Sequence, residues 1–257
     1  MATLQSWIEG ARSMLSRAVS WVRSKLRTVL GLSAASVDVS PVVRDGQTGD
    51  PVLSIDGLTV YRGLNYLSWD GGDLSIDYDG APNAYAPQGF GSPLDNLANA
   101  GNGSKWWGIE TDAQGKPVVQ GAADPYPGYY VSTTALTWPG RSGPARYVDS
   151  TQISYVALPP VFKELGAKLG DLVYVYSDKT KVGRFAIWAD IGPKSKLGEG
   201  SLQLARALRV EKSALRSGGL RFEVYPGSGE GRPLSEEEIQ KRGASLLQTA
   251  ARFQGVA

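Results

Sequence analysis

From residue 51 onward the chain is written in short apolar or alternating runs, each closed off by Gly, Pro, Asn or Asp. That punctuation constrains the fold more than any other feature. Side chains alternating with period two build strands, and turn formers at such short intervals leave little length for helices. The runs are VLSI (52–55), LTVYRGLNYLSW (58–69), LSIDY (74–78), ISYVALP (153–159), DLVYVYS (171–177), RFAIWAD (184–190) and LRFEVY (220–225). Only DKTKVG separates the fifth run from the sixth, which predicts a hairpin. Two short helices are expected among the strands: 201–208, opened by a capping serine, and 235–247, opened by a Ser-x-x-Glu capping box. The 32 glycines, 7 tryptophans and 12 tyrosines suit a mainly β, loop-rich domain. No repeat runs at a period of 20–50 residues.

The first thirty residues follow a different rule. Thr3 can cap a helix whose apolar positions 4, 7, 8, 11, 15, 18, 19, 22, 26, 29 and 30 lie along one face, and Gly31 supplies a stop. Residues 1–31 are therefore expected to form a basic amphipathic helix carrying Trp7 and Trp21. Residues 32–50 read as a linker, and 51–257 as the main domain. Such a helix suits a membrane surface, a carrier protein or docking on the domain itself. Charges interrupt each of its apolar runs, so neither a signal peptide nor a transmembrane span is expected. The expected location is cytoplasmic until release or delivery by a non-classical route.

The chain contains no histidine and no cysteine. That excludes Ser-His-Asp and Cys-His nucleophiles, thiolate zinc sites and disulfides, leaving carboxylates, Lys, Tyr, Ser and backbone for any catalysis. Residues 1–30 hold five basic side chains against one acidic, giving +4. Residues 50–130 hold ten acidic against three basic, giving −7. A nucleic-acid partner is not expected for a domain of that sign, whereas a cationic or neutral one is.

In FAIWADIGPKSKLGEGS, Asp190 ends an apolar strand and Glu199 follows nine residues later in a Gly/Pro-rich loop. Glycoside hydrolysis needs one protonated carboxyl to donate to the leaving oxygen and one ionised carboxylate to activate water. Alternation puts Asp190 on the strand face of Trp188 and Ala186, an apolar setting that raises a carboxyl pKa. Glu199 sits two residues before a helix start, which favours its charged form. Asp190 is thus the expected acid and Glu199 the expected base.

LSIDYDGAPNAYAP (74–87), LDNLANAG (94–101), WWGI (106–109), GYYVSTTAL (128–136), YVALPP (155–160), LGDLVYVYS (169–177) and ADIGPKSKLGEGS (189–201) occur in an order that resembles glycoside hydrolase family 75, the fungal chitosanases and their bacterial relatives. The likeness spans roughly residues 52–245. It implies an essential Asp and Glu at the positions of Asp190 and Glu199, and an inverting mechanism with carboxyl groups roughly 6.5–9.5 Å apart. Tyr78 stands where fungal relatives have a cysteine. The same block more faintly resembles double-psi β-barrel enzymes such as inverting cellulases and lytic transglycosylases, which implies a six-stranded double-psi-like β-barrel with short helices and the N-terminal amphipathic α-helix.

Further candidates suit a sugar cleft. Asp77 and Asp79 can bind hydroxyl or ammonium groups, although Asp79-Gly80 also reads as a turn. Trp106 and Trp107 can stack on pyranose rings or pack in a core. Tyr130, Ser132 and Thr133 can line the cleft or simply form a strand. No cofactor or metal is expected, although Asp70/Asp73 and Asp77/Asp79 could bind calcium weakly. The resemblance implies chitosan as substrate. The missing export signal favours peptidoglycan, cleaved by a muramidase acting as a lytic enzyme or delivered toxin. A non-catalytic carbohydrate-binding or particle-associated protein is the alternative of another class.

Overall fold

A computed structural model describes residues 49–211 and 219–254, with side chains described as far as Leu247. The expected helix at 1–31 and the linker up to residue 48 lie outside the described residues.

Among the described residues there are nine strands, all but β8 from the apolar or alternating runs: β1 (Asp50–Ile55), β2 (Leu58–Arg62), β3 (Leu67–Gly72), β4 (Ser75–Asp77), β5 (Tyr155–Leu158), β6 (Leu172–Ser177), β7 (Val182–Ile191), β8 (Glu199–Ser201) and β9 (Leu220–Val224). Three α-helices accompany them among the described residues: α1 (Leu97–Ala100), α2 (Leu202–Ala207) and α3 (Glu236–Gln254). The strands make one curled, half-barrel sheet in the order β1-β2-β3-β9-β6-β7-β5-β8-β4. The domain is mainly β, as the punctuation predicts.

Local chemistry accounts for most of these elements. Asp56 and Gly57 take φ of 53° and 75°, the left-handed pair of a tight hairpin turn between β1 and β2. The predicted hairpin is β6–β7, paired antiparallel from Leu172↔Ile187 to Ser177↔Val182. Ser201 caps α2 by accepting from the Leu204 N–H at 3.1 Å. The capping box of α3 closes reciprocally: Glu238 accepts from the Ser235 N–H at 2.9 Å, and the Ser235 hydroxyl accepts from the Glu238 N–H at 3.3 Å.

Each face of the sheet has its own apolar cluster. Inside the curl, Trp69, Trp188, Phe162 and Phe222 pack with aliphatic residues from every strand except β8, and with Leu204 and Leu208. Trp69 lies flat on Phe222, with ring centroids 4.7 Å apart. On the outer face, Tyr174, Phe185 and Ile187 receive Ile239 and Leu247 of α3. A third, smaller cluster around Ala81, Tyr85, Ala100 and Ile109 organises the irregular lobe between β4 and β5, which isolated bridges such as Ile109↔Ser132 and Val119↔Tyr130 tie together. Among the described residues, no helix is long and apolar enough to cross a membrane.

Candidate active site

Ala157 of β5 is the register partner of Asp190 on β7 and also of Glu199 on β8. Register partners share a face, so the three residues form one row with the two acids two strand spacings apart, roughly 10 Å between their Cα atoms. Only the Ala157 methyl group fills the middle. On β4, Ser75 partners Glu199 and extends the row, and Asp77 follows on the same face. Leu74, Val156, Leu158 and Leu197 point into the inner cluster, so this row occupies the opposite, outer face.

A β-bulge delivers Asp190 to that face. Trp188 pairs with Val156, but Asp190 pairs with Ala157, leaving Ala189 as an extra residue. Simple alternation would have put Asp190 beside Trp188 and Ala186 on the inner face; the bulge turns it over. The Trp188 indole N–H donates to the Asp190 carbonyl at 2.7 Å, tying the inner residue to the bulge. The Asp190 carboxylate accepts from the Ala135 N–H at 2.8 Å.

The segment after β4 folds back as a tight hook. Asp77 Oδ1 accepts from the Asp79 N–H at 2.9 Å, and the Tyr155 hydroxyl donates to the Asp79 carbonyl at 2.9 Å. The Gly80 N–H donates to Ser132 Oγ, which in turn donates to the Gly108 carbonyl. Gly80 has φ +76°, and a Cβ there would lie 2.1 Å from the Val148 carbonyl oxygen, so only glycine fits. The Tyr85 hydroxyl donates to Asp79 Oδ1 at 2.7 Å, with Asp95 Oδ2 further off at 3.3 Å.

These elements enclose a cleft of about 710 Å³. Of the residues singled out by sequence, it gathers Asp77, Asp79, Trp107, Asp190 and Glu199. Trp107 is 56% exposed at its rim, held by an indole N–H donated to the Asn99 carbonyl. Trp106, Tyr130, Ser132 and Thr133 are not among the lining residues. Trp106 and Tyr130 pack on the lobe cluster; Ser132 is buried on the Gly80 and Gly108 backbone; the Thr133 N–H donates to the Gly108 carbonyl. Sequence reasoning missed Ser75, Tyr85, Asp95, Asn99 and Lys196, which also line the cleft. Lys196, three residues before Glu199, had a legible signal, and its ammonium lies 3.0 Å from the Glu199 carboxylate.

Burial governs the electrostatics. It lifts Asp190 to about 8, with the neighbouring Asp77 charge adding to the effect against the Ala135 N–H. Asp77 rises to about 6 through burial, opposed by the Asp79 N–H and reinforced by Glu199. Asp79 lies well above the carboxylate range, through burial first and then the charges of Asp77 and Asp190. Burial and the same carboxylates push Tyr85 and Tyr155 upward, so both remain hydroxyl donors. One carboxyl that stays protonated near neutral pH thus faces a second that is ion-paired with lysine, a combination suited to general acid–base chemistry.

Side-chain oxygens of Asp77, Asp79 and Asp190 lie within 4.8 Å of one another, close enough to share a cation. Three such oxygens fall short of the six to eight that calcium takes. The Asp70/Asp73 pair does not belong to any such group among the described residues. A search of protein-family models and of curated proteins found no match to this chain.

Proposed function

We propose that the protein is an inverting endo-glycoside hydrolase that cleaves a β-1,4-linked amino-sugar polymer, chitosanase-like, with Asp190 as general acid and Glu199 as general base. The observation that carries this is the Asp190–Ala157–Glu199 row on one face of one cleft. Acids two strands apart suit the roughly 6.5–9.5 Å carboxyl separation of inverting enzymes, in which a water must fit beside the sugar. Asp190 protonates the glycosidic oxygen, while Glu199 takes a proton from the water that attacks the anomeric carbon. Trp107 offers a stacking face for a pyranose ring, and Asp77 and Asp95 offer acceptors for hydroxyl or ammonium groups.

The sheet fits the same reading as a six-stranded double-psi-like barrel. β3 and β4 are separated only by Asp73 and Leu74, and they border β9 and β8 respectively. Taken as one bent strand, they close a ring of β3/β4, β9, β6, β7, β5 and β8, which supports the barrel.

Lys196 favours a second reading. Among the described residues it is the one cation lining the cleft, beside the proposed base, where it would repel a glucosamine ammonium and attract the carboxylate of a lactyl ether. That suits peptidoglycan and a muramidase-type lytic activity. The test is mass spectrometry of products after incubating wild type and Glu199→Gln with chitosan and with purified sacculi. Glucosamine oligomers support the chitosanase, and soluble muropeptides support the muramidase. Release of neither, with retained sugar binding, overturns catalysis in favour of a non-catalytic carbohydrate-binding protein.

A further inference from the structure

We infer that Asp77, Asp79 and Asp190 work as one proton-sharing carboxyl triad, in which Asp77 is a positioning residue that keeps the donor proton on Asp190 and Asp79 holds the proton that replaces it. The catalytic half of this inference rests on the glycosidase reading above; the proton sharing itself does not.

Among the described residues, no lysine or arginine forms an ion pair with the triad. Its carboxylate oxygens lie within 4.8 Å of one another, and like charges that close do not all ionise. Facing Asp190 are Asp77 from β4, Asp79 from the hook after it, Glu199 from β8 and Tyr155 from β5, with the Ala135 N–H as donor. Lys196, the cation lining the cleft, sits against Glu199 instead. Beyond Asp79 stand Tyr85 and Asp95. The single Tyr85 hydroxyl proton goes to Asp79 at 2.7 Å, while Asp95 draws on the Asn96 N–H and the Asn99 amide. On another side of Asp79, a Cβ at Gly108 would lie 2.8 Å and 2.9 Å from its two carboxylate oxygens, so the Gly108 backbone closes over the group. Asp77 is placed where its charge bears on Asp190, and Asp79 is clamped where the charges of both bear on it. Burial that raises all three carboxyls adds to the same effect.

The proton balance in turnover is closed. The glycosidic C–O bond breaks and its oxygen takes the Asp190 proton. Water forms the new C–O bond and gives its proton to Glu199. A proton passes from Asp79 to Asp190, after which Glu199 releases one proton to solvent and Asp79 regains one.

The experiment is a pH titration of the full chain with aspartate labelled at the side-chain carboxyl carbon, followed by NMR, beside the pH profile of kcat/KM. Asp190→Asn identifies the Asp190 resonance. Asp77→Asn keeps an oxygen for the Asp79 N–H and removes only the charge. The expected result in wild type is that the three resonances titrate in linked steps reaching above pH 6. In Asp77→Asn the Asp190 midpoint, and with it the basic limb of kcat/KM, falls by about one pH unit or more. The wild-type titration needs no variant to fold. Independent titration of the three, or an Asp190 midpoint unmoved in Asp77→Asn, overturns the triad even where turnover persists. Linked titration in a protein that cleaves no polymer sustains the triad and overturns only the glycosidase reading.

Discussion

Asp190 and Glu199 carry the same functional group, and what separates them is the company each keeps. Asp190 is enclosed among other carboxylates, whereas Glu199 has the Lys196 ammonium at 3.0 Å. On the proposed mechanism, Glu199→Gln lowers kcat by about 10²–10⁴-fold while leaving oligosaccharide affinity within a few-fold, as steady-state kinetics and calorimetry would show. An equal loss of affinity would argue that Glu199 binds rather than catalyses. The Asp190 shift also fixes a stability trend. Its folded-state value of about 8 lies above the ordinary 3.8, so its contribution is fully present below about pH 4 and is lost as pH rises through about 8. Asp190→Asn cannot ionise and escapes that loss. Its Tm should match wild type near pH 4 and exceed it at pH 9, at about 2–4 °C per kcal/mol for a domain of this size. A lower Tm at pH 9 would show that the Asp190 carboxylate is stabilised where it sits. Both acids were legible from residue type and spacing. The tandem tryptophans were not separable by sequence: alternation turns Trp106 into the lobe and Trp107 out to the cleft, and nothing in the sequence says which.

At the scale of elements, what was legible depended on how local the cause is. Both helix caps, the Asp56-Gly57 turn and the β6–β7 hairpin are decided within a few residues, and all four can be read from the chain. β8 is three residues long, Glu199-Gly200-Ser201, with no alternation to detect; it is a strand because Ser75 and Ala157 flank it from distant parts of the sequence. The bulge at Ala189 is invisible for a similar reason, since it exists only relative to β5. Long-range packing overrides local preference again in α3. Gly243 lies inside the helix, where alanine is ordinarily favoured by about 1 kcal/mol. A Cβ there would lie 2.1 Å from Cγ of Phe185, the root of a buried ring that cannot swing aside. Gly243→Ala is therefore expected to destabilise by about 1–3 kcal/mol, the usual cost of overpacking, in a urea unfolding curve. A gain in stability would mean that α3 slides on the sheet without cost.

The curl of the sheet belongs to the whole molecule. β3 and β9 are far apart in sequence, as are β4 and β8, and the cleft exists only where those pairings bring the hook after β4 over the β7–β5–β8 row. Charge follows the same geography. The stretch 50–130 carries −7 and supplies Asp77, Asp79 and Asp95 to the cleft, while Lys196 brings the opposing sign. Exposed charges are screened within about 8 Å at physiological ionic strength, so a substrate recognised by charge must bind less tightly as salt rises. On the chitosanase reading, raising salt from about 50 mM to 500 mM should weaken binding of a fully deacetylated glucosamine oligomer to the Glu199→Gln protein several-fold. The fully acetylated oligomer should be unaffected. Lys196→Ala should tighten the cationic oligomer, because it removes a cation that opposes the cleft acids. On the muramidase reading the lysine works the other way: the same substitution weakens a muramyl oligosaccharide that bears a lactyl carboxylate. Calorimetric titration of both ligands against both proteins separates the readings by the sign of the Lys196 effect. A Lys196→Ala protein that binds both ligands as before would show that the lysine serves Glu199 alone.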